Sequence, residues 1–204
     1  MTKFNWKKIV VVIGGMVWLG LWSHVSVHAE VLRGVVTDEH QTPESQSLVV
    51  AWIEGLEPGE PVEERAEISQ SGLQFHPRVL TVTVGQTVDF PNADDVAHNV
   101  FSMSKAKRFK LGIYPKGESR EVTFEKPGVI DLFCSIHRHM HAVIVVTPSE
   151  HRTISRLGET WEITNVPPGS HTLKVWNPAH RLIERAVTLV EGKASEVTLA
   201  MERL

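Results

Sequence analysis

Apolar and polar residues alternate every second position in many short runs along this chain. In the segment 79–84, Leu80, Val82 and Val84 alternate with threonines, and Val122 and Phe124 alternate with polar residues further on. A period of two places one set of side chains on one face of a strand, so these runs predict β-strands with one buried face. Turn residues separate the runs, and the chain holds 14 Gly and 11 Pro.

Two runs before residue 60 extend this pattern. Residues 31–38 read as a first strand, whereas residues 48–53 are apolar throughout, which is typical of a strand covered on both faces. A segment rich in Glu, Gly and Pro follows at 54–64 and reads as a linker. About eight short strands are expected between residues 66 and 146, and that number suits a Greek-key sandwich or barrel. We therefore predict an all-β fold.

The amino-terminal 29 residues have the organisation of a secretory signal peptide. Three lysines precede an uncharged apolar run at 9–22, and small residues at Val27 and Ala29 form a cleavage pattern. An uncleaved membrane anchor is the alternative, but the run is shorter than the roughly 20 residues that a membrane span needs. We expect a periplasmic or secreted protein with no stable membrane span after cleavage.

The net charge and the cysteine content argue against nucleic-acid binding and favour metal binding. The formal net charge is −3, which gives no general affinity for nucleic acid. Cys134 is the only cysteine, so it cannot form an internal disulfide in an exported chain. A single exported thiol needs another explanation, and metal ligation provides one.

The loop 133–140 presents further metal ligands beside that thiol. Cys134, His137 and Met140 stand at C-x2-H-x2-M spacing. A thiolate, imidazoles and a weak thioether are the donors of a trigonal copper site with a long axial methionine. The fourth ligand should be a histidine from elsewhere in the chain, and His98 is the best candidate. The predicted metal ligands of a single type 1 copper ion are thus His98, Cys134, His137 and Met140.

These residues and their flanking sequence resemble the cupredoxins, a family of small blue-copper electron-transfer domains. The short ligand loop is similar to that of amicyanin, and the segments 90–102 (FPNADDVAHNVFS), 111–117 and 126–137 resemble exported plastocyanin-like proteins labelled methylamine utilisation. The resemblance runs from about residue 66 to 146. It implies a Greek-key cupredoxin sandwich that carries single electrons between redox partners. It also implies that Asn99 tethers the His98 loop to the Cys134 loop, and that His137 is the ligand nearest to solvent.

A copper cage of this kind has no open position for a substrate, so we expect that the protein is not an enzyme. A multicopper oxidase is disfavoured because Phe133 and Ser135 flank the cysteine, where those oxidases have histidines. His139 and His141 are additional to the family pattern, and they keep a second function open, the periplasmic storage or delivery of copper. A third alternative is an adhesion or carbohydrate-binding module with an incidental metal.

Basic residues follow the His98 segment. Lys105, Lys107 and Lys110 form a cluster in an acidic chain, and they predict docking of an acidic redox partner. A solvated hairpin without a partner is the alternative explanation of such a cluster.

The two ends of the mature chain share a different pattern. Residues 34–38 (GVVTD) and 165–169 (NVPPG) resemble motifs of carboxypeptidase-regulatory-like or transthyretin-like sandwiches. We predict a cupredoxin domain at 63–148 inserted into an accessory β-sandwich of 30–62 plus 149–204. In the alternative, residues 30–60 add edge strands to the cupredoxin. Trp161 and Trp176 are expected to pack in the accessory core.

Overall fold

The computed structural model describes residues 30–38, 48–57 and 65–204. The predicted signal peptide, the polar turn after the first strand and most of the predicted linker lie outside the described residues. Over the described ranges the secondary structure consists of strands and turns without a helix, so no helix there is long and apolar enough to cross a membrane. The all-β prediction is confirmed.

The strands follow one another closely in the sequence. Their bounds are β1 Glu30–Asp38, β2 Leu48–Glu54, β3 Ala66–Glu67, β4 Ser69–Ser71, β5 Gln74–His76, β6 Val79–Thr83, β7 Thr87–Pro91, β8 His98–Ser102, β9 Phe109–Tyr114, β10 Ser119–Thr123, β11 Gly128–Phe133, β12 His141–Thr147, β13 Arg152–Arg156, β14 Thr160–Val166, β15 Gly169–Trp176, β16 Ile183–Leu189 and β17 Ser195–Met201.

The central part of the protein, residues 65–147, is built from strands β3–β12. A five-stranded sheet has the order β6-β12-β11-β8-β9, a three-stranded sheet has the order β10-β7-β3, and β4 and β5 form a hairpin. Alternating residues such as Val88, Phe90, Ile130 and Leu132 are fully buried in one apolar core. This core is the one that the two-residue period of the sequence predicts.

The start of β8 and the end of β11 lie at the same end of the five-stranded sheet. These strands are antiparallel neighbours, with Phe101 opposite Phe133. His98 at the first position of β8 is therefore close to Cys134, which directly follows β11. Sheet pairing thus brings together two segments that are 36 residues apart in the sequence.

The flanking part, residues 30–57 and 148–204, has its own two sheets and its own core. One sheet has the order β14-β1-β17 and the other β13-β2-β15-β16. Strands β1 and β2 thus pair with the carboxy-terminal strands, and not with β3–β12. Trp161 is buried in this core, where its ring covers Gly34 so closely that a Cβ atom there would lie 2.3 Å from Cζ2. The fold class is accordingly a cupredoxin-like sandwich together with a second small β-sandwich.

Strand β2 joins the two parts because both of its faces are buried. Ala51 and Ile53 point into the flanking core, while Val50 and Trp52 pack against Val143 and Val145 of β12 in a separate cluster. This arrangement confirms that the apolar run 48–53 is covered on both sides.

A half-buried guanidinium adds polar contacts at the same junction. Arg152 Nη1 donates to Thr83 Oγ1 at 2.8 Å and to the carbonyl oxygen of Ser149 at 3.2 Å. Burial lowers the pKa of Arg152, and the nearby charge of Glu150 opposes this effect.

Candidate metal centre

His98 is the most buried of the predicted metal ligands, with none of its surface exposed. Its Nε2 atom lies 2.8 Å from Oδ2 of Asp94. The same carboxylate accepts the backbone N–H groups of Gly72 at 2.6 Å and Leu73 at 2.9 Å. Asp94 therefore anchors the ring of His98 to the tip of the β4–β5 hairpin.

The contacts of Asp94 determine its charge and the tautomer of His98. Burial alone raises the pKa of Asp94, but the hydrogen bonds from Leu73, His98 and Gly72 outweigh it and lower the pKa below its usual value. An ionised carboxylate can only accept hydrogen bonds, so Nε2 of His98 carries the hydrogen. Its Nδ1 lone pair is then available to a metal.

The side-chain amide of Asn92 holds the loop between β7 and β8 in place. Asn92 Oδ1 accepts the backbone N–H of Asp94 at 3.0 Å, and Nδ2 donates to the carbonyl oxygens of Val96 and Tyr114 at 2.9 and 3.1 Å. The buried Asn92 satisfies backbone groups that would otherwise lack partners inside the loop.

The Cys134 loop closes on itself directly after β11. The N–H of Met140 donates to the carbonyl oxygen of His137 at 2.9 Å, and the N–H of Cys134 donates to the carbonyl oxygen of Met140 at 3.4 Å. Cys134 and Met140 are exposed by only 3% and 1% and belong to the same apolar core. Local backbone contacts thus hold the three chemically distinct side chains of this loop together.

Three donor atoms converge at this end of the sheet. Sγ of Cys134 lies 4.0 Å from Nδ1 of His98 and 4.0 Å from Nδ1 of His137, and the two nitrogens are 3.0 Å apart. Within the described residues, these three side chains are the group of His, Cys, Asp and Glu residues that is close enough to hold a metal ion. One thiolate and two imidazoles are the donor set of a trigonal copper site, so the residues present fit copper.

The structure confirms the predicted tether between the two ligand loops. Oδ1 of Asn99 accepts the backbone N–H of Ser135 at 2.9 Å and its hydroxyl at 3.1 Å. Asn99 is itself 1% exposed. Because this amide links the residue after His98 to the residue after Cys134, the two segments cannot separate without breaking buried hydrogen bonds.

The solvent exposure of the predicted ligands agrees with the expectation that His137 lies nearest to solvent. His137 is partly exposed, whereas His98, Cys134 and Met140 are buried. Ile136, beside His137 in the sequence, is 45% exposed, and Phe133 is 36% exposed. Among the predicted ligands, His137 is therefore the one nearest to solvent.

The two additional histidines have different surroundings. Nε2 of His141 lies 2.9 Å from Oδ1 of Asp131, and its ring lies 5.0 Å from that of Phe133. His139 is exposed, with its ring 6.4 Å from that of His137. Sequence reasoning missed the roles of Asp94 and Asp131. An acidic residue four positions before His98 is visible in the sequence, but only the folded loop shows that the carboxylate reaches the ring.

A scan against protein families gives a match for the central segment of the chain. Residues 62–147 match the copper binding proteins of the plastocyanin/azurin family. The central segment is therefore similar to these copper-binding proteins. The match leaves both flanks unassigned, and the resemblance of the flanking part to a carboxypeptidase-regulatory-like module is not confirmed. A search of curated proteins found no match.

Solved structures similar to this chain include two cupredoxins. A purple cupredoxin from Nitrosopumilus maritimus is 28% identical, covering 40% of this chain and 99% of that one, with a TM-score of 0.37. A reduced amicyanin point mutant is 24% identical, covering 47% of this chain and 97% of that one, with a TM-score of 0.39.

A third similar structure corrects the expectation that the protein is not an enzyme. A Cu-containing nitrite reductase from Thermus scotoductus SA-01 is 31% identical over 45% of this chain and 24% of that one, with a TM-score of 0.39. Segments of this type therefore occur within enzymes. The prediction was wrong because a closed copper cage in one segment does not exclude catalysis elsewhere in a protein that contains it.

Proposed function

We propose that this protein carries single electrons between redox partners, using one type 1 copper ion held by His98, Cys134, His137 and Met140. The convergence of Sγ and two Nδ1 atoms within 4.0 Å of one another is the observation that carries the proposal. When bound, copper supplies one-electron chemistry by alternating between Cu(I) and Cu(II).

The surrounding residues hold this donor set in place. Asp94 orients the ring of His98, and Asn99 joins the two ligand loops. A rigid donor set suits rapid electron transfer, because little rearrangement accompanies a change of oxidation state.

Electrons are proposed to enter and leave through His137. It is the one predicted ligand that is not buried, and the apolar side chain of Ile136 is exposed next to it. An exposed apolar surface around a partly exposed ligand allows close approach of a redox protein.

The redox partner is proposed to be acidic and to dock through Lys105, Lys107 and Lys110. Lys105 and Lys110 are exposed, whereas Lys107 pairs with Glu125 at 3.3 Å. Lys110 lies opposite Phe101, which in turn lies opposite Phe133, next to Cys134. This register supports a position of Lys110 near the copper end of the sheet.

The domain arrangement and the location of the protein are also part of the proposal. The pairing of β1 and β2 with strands of the carboxy-terminal part supports an accessory sandwich of residues 30–62 plus 149–204, into which a cupredoxin domain at 63–148 is inserted.

We propose export to the periplasm or beyond the cell, with cleavage after Ala29. Mass spectrometry of the mature protein should find Glu30 as its first residue.

Replacement of the thiol tests the proposed function. The copper-loaded protein is expected to show an intense thiolate-to-Cu(II) absorption band that reversible reduction removes. Cys134→Ser should abolish the band, because an alcohol cannot replace the thiolate. His139→Ala is the control and should keep the band. A band that persists in Cys134→Ser would require another site and contradicts the proposed donor set. Exchangeable Cu(I) without any such band contradicts the electron-carrier proposal and favours copper storage or delivery.

A further inference from the structure

A cavity of about 170 Å³ lies beside Met140, outside the group of three converging donor atoms. Phe75 and Met140 line it with buried apolar side chains. The remaining lining residues are Gln74, Arg78, His139 and His141. None of the residues that line the cavity is acidic, and Gln74, Arg78 and His139 can each donate N–H groups.

Arg78 supplies the positive charge of this cavity. Its side chain is exposed, and within residues 30–38, 48–57 and 65–204 no carboxylate forms an ion pair with it. A guanidinium presents five donors in a planar fork that matches the oxygens of phosphate or sulfate. Its donors are thus available to an anion.

Two parts of the cavity wall, the backbone of Arg78 and the ring of His141, are held in place. The carbonyl oxygen of Arg78 accepts the N–H of Val143 at 2.9 Å, which ties the start of β6 to β12. The ring of His141 is held by its contact with Asp131, whose carboxylate does not line the cavity. A cavity wall that is in place before binding reduces the entropy cost of ordering on binding.

We propose that this cavity binds a small inorganic oxyanion of the phosphate or sulfate class. Pockets for organic ligands typically enclose about 300–1,000 Å³, so this one suits a small ion with a few waters. Arg78 binds two of the anion's oxygens, and Gln74 and His139 donate to the others.

Anion binding has a consequence for the copper that rests on the proposed function. The anion places negative charge beside Met140, and negative charge stabilises Cu(II) relative to Cu(I). Occupancy of the cavity therefore lowers the reduction potential. The binding of the anion itself does not depend on copper.

The first experiment measures binding in the metal-free protein. Inorganic phosphate is titrated while NMR follows the side chains of Gln74, His139 and His141, with sodium chloride at matched ionic strength as the reference. We expect saturable shifts with phosphate alone. Arg78→Gln should weaken binding about tenfold or more, because charge-assisted hydrogen bonds are lost. Arg185→Gln, which removes the same charge from an exposed position on β16, should not change it.

Equal shifts with chloride and phosphate, or equal binding by the Arg78→Gln variant, overturn the anion site.

The second experiment measures the reduction potential of the copper-loaded protein. The potential should fall when phosphate is added to the unmodified protein or to Arg185→Gln, but it should not change in Arg78→Gln. Binding without a fall in potential keeps the anion site and overturns its link to copper. Loss of the copper band itself overturns the proposed function and leaves the anion site standing.

Discussion

At the residue scale, Asp94 and Asp95 show how differently two adjacent carboxylates behave. Asp94 accepts hydrogen bonds from two backbone N–H groups and from His98. Asp95 contacts Lys116 at 2.7 Å, and its side chain is 90% exposed. The first carboxylate supports a predicted metal ligand, whereas the second forms a surface ion pair of little energetic weight.

Replacing Asp94 should therefore weaken the copper site. An amide in Asp94→Asn has a single acceptor oxygen, so donors of the hairpin and of His98 lose partners. We expect the affinity for Cu(II) to fall about 10- to 100-fold, the usual effect of removing a residue that orients a ligating histidine. Competition with a chelator of known affinity measures this. Asp95→Asn is the matched control, and equal affinities for the two variants would show that Asp94 does not orient His98.

Tyr114 is a buried phenol at the end of β9. Its hydroxyl donates to the carbonyl oxygen of Phe90 at 2.9 Å and accepts Nε2 of Gln70 at 2.6 Å. Burial raises the pKa of Tyr114 to about 12, although the hydrogen bond from Gln70 and the charge of Arg120 lower it. Because the folded-state pKa is raised, this residue contributes stability that is present below the unfolded pKa of about 10 and is lost as the pH rises towards the folded value.

This shift predicts a late phenolate transition. The chain contains a single tyrosine, so the ultraviolet absorbance of phenolate reports Tyr114 alone. The folded protein should titrate near pH 12, and the stability should decline between about pH 10 and pH 12. Tyr114→Phe should remove this part of the decline. A midpoint near 10 in the folded protein would mean that the phenol is not buried.

At the scale of single elements, β9 combines an edge position with basic charge. It is the last strand of the five-stranded sheet, and Lys110 on it lies opposite Phe101. An edge strand that carries lysine resists pairing with other chains. The same charge can steer an acidic partner towards the copper end of the sheet.

Removing the charges of this cluster tests the steering role. Lys105, Lys107 and Lys110 are changed together to Gln, and electron-transfer rates with an acidic redox protein are measured against ionic strength. We expect slower transfer at low salt and a weaker salt dependence, since rates steered by charge fall steeply with salt. A control variant changes Lys126, Arg185 and Lys193 to Gln. If both triple variants respond alike to salt, net charge rather than this cluster governs association.

Element prediction from sequence succeeded where the apolar pattern was long enough. The run 48–53 correctly predicted a strand buried on both faces, and the alternation at 79–84 correctly predicted β6. The central part nevertheless contains ten strands instead of about eight, because β3, β4 and β5 have only two or three residues each. Segments of this length carry no recognisable period, so only their partners in the fold define them.

At the scale of the whole molecule, the junction between the central and flanking parts decides whether they unfold together. Val50 and Trp52 of β2 meet Val143 and Val145 of β12, and Arg152 adds hydrogen bonds to Thr83. The side chains in this cluster are almost completely buried. An apolar contact of this kind makes the folding of each part depend on the other.

Trp52→Ala should uncouple the two parts. Loss of a buried indole is expected to reduce the free energy of unfolding by about 3–5 kcal/mol. The transition followed by the copper band should then separate from that followed by tryptophan fluorescence, whereas the two should coincide in the unmodified protein. Ile154→Ala, at an exposed position on β13, should change stability by less than about 0.5 kcal/mol. Coincident transitions in Trp52→Ala would show that the junction does not couple the parts.

The sequence by itself determined the chemistry of the site and the class of the fold. Cys134, His137 and Met140 lie in one short loop, so their spacing already predicts a shared set of metal donors, and the two-residue period predicts strands. Only the tertiary structure decided that His98 reaches the thiol from 36 residues away, that Asp94 holds its ring, and which residues cover each face of β2. Those features depend on pairing and packing between distant segments, which local patterns do not encode.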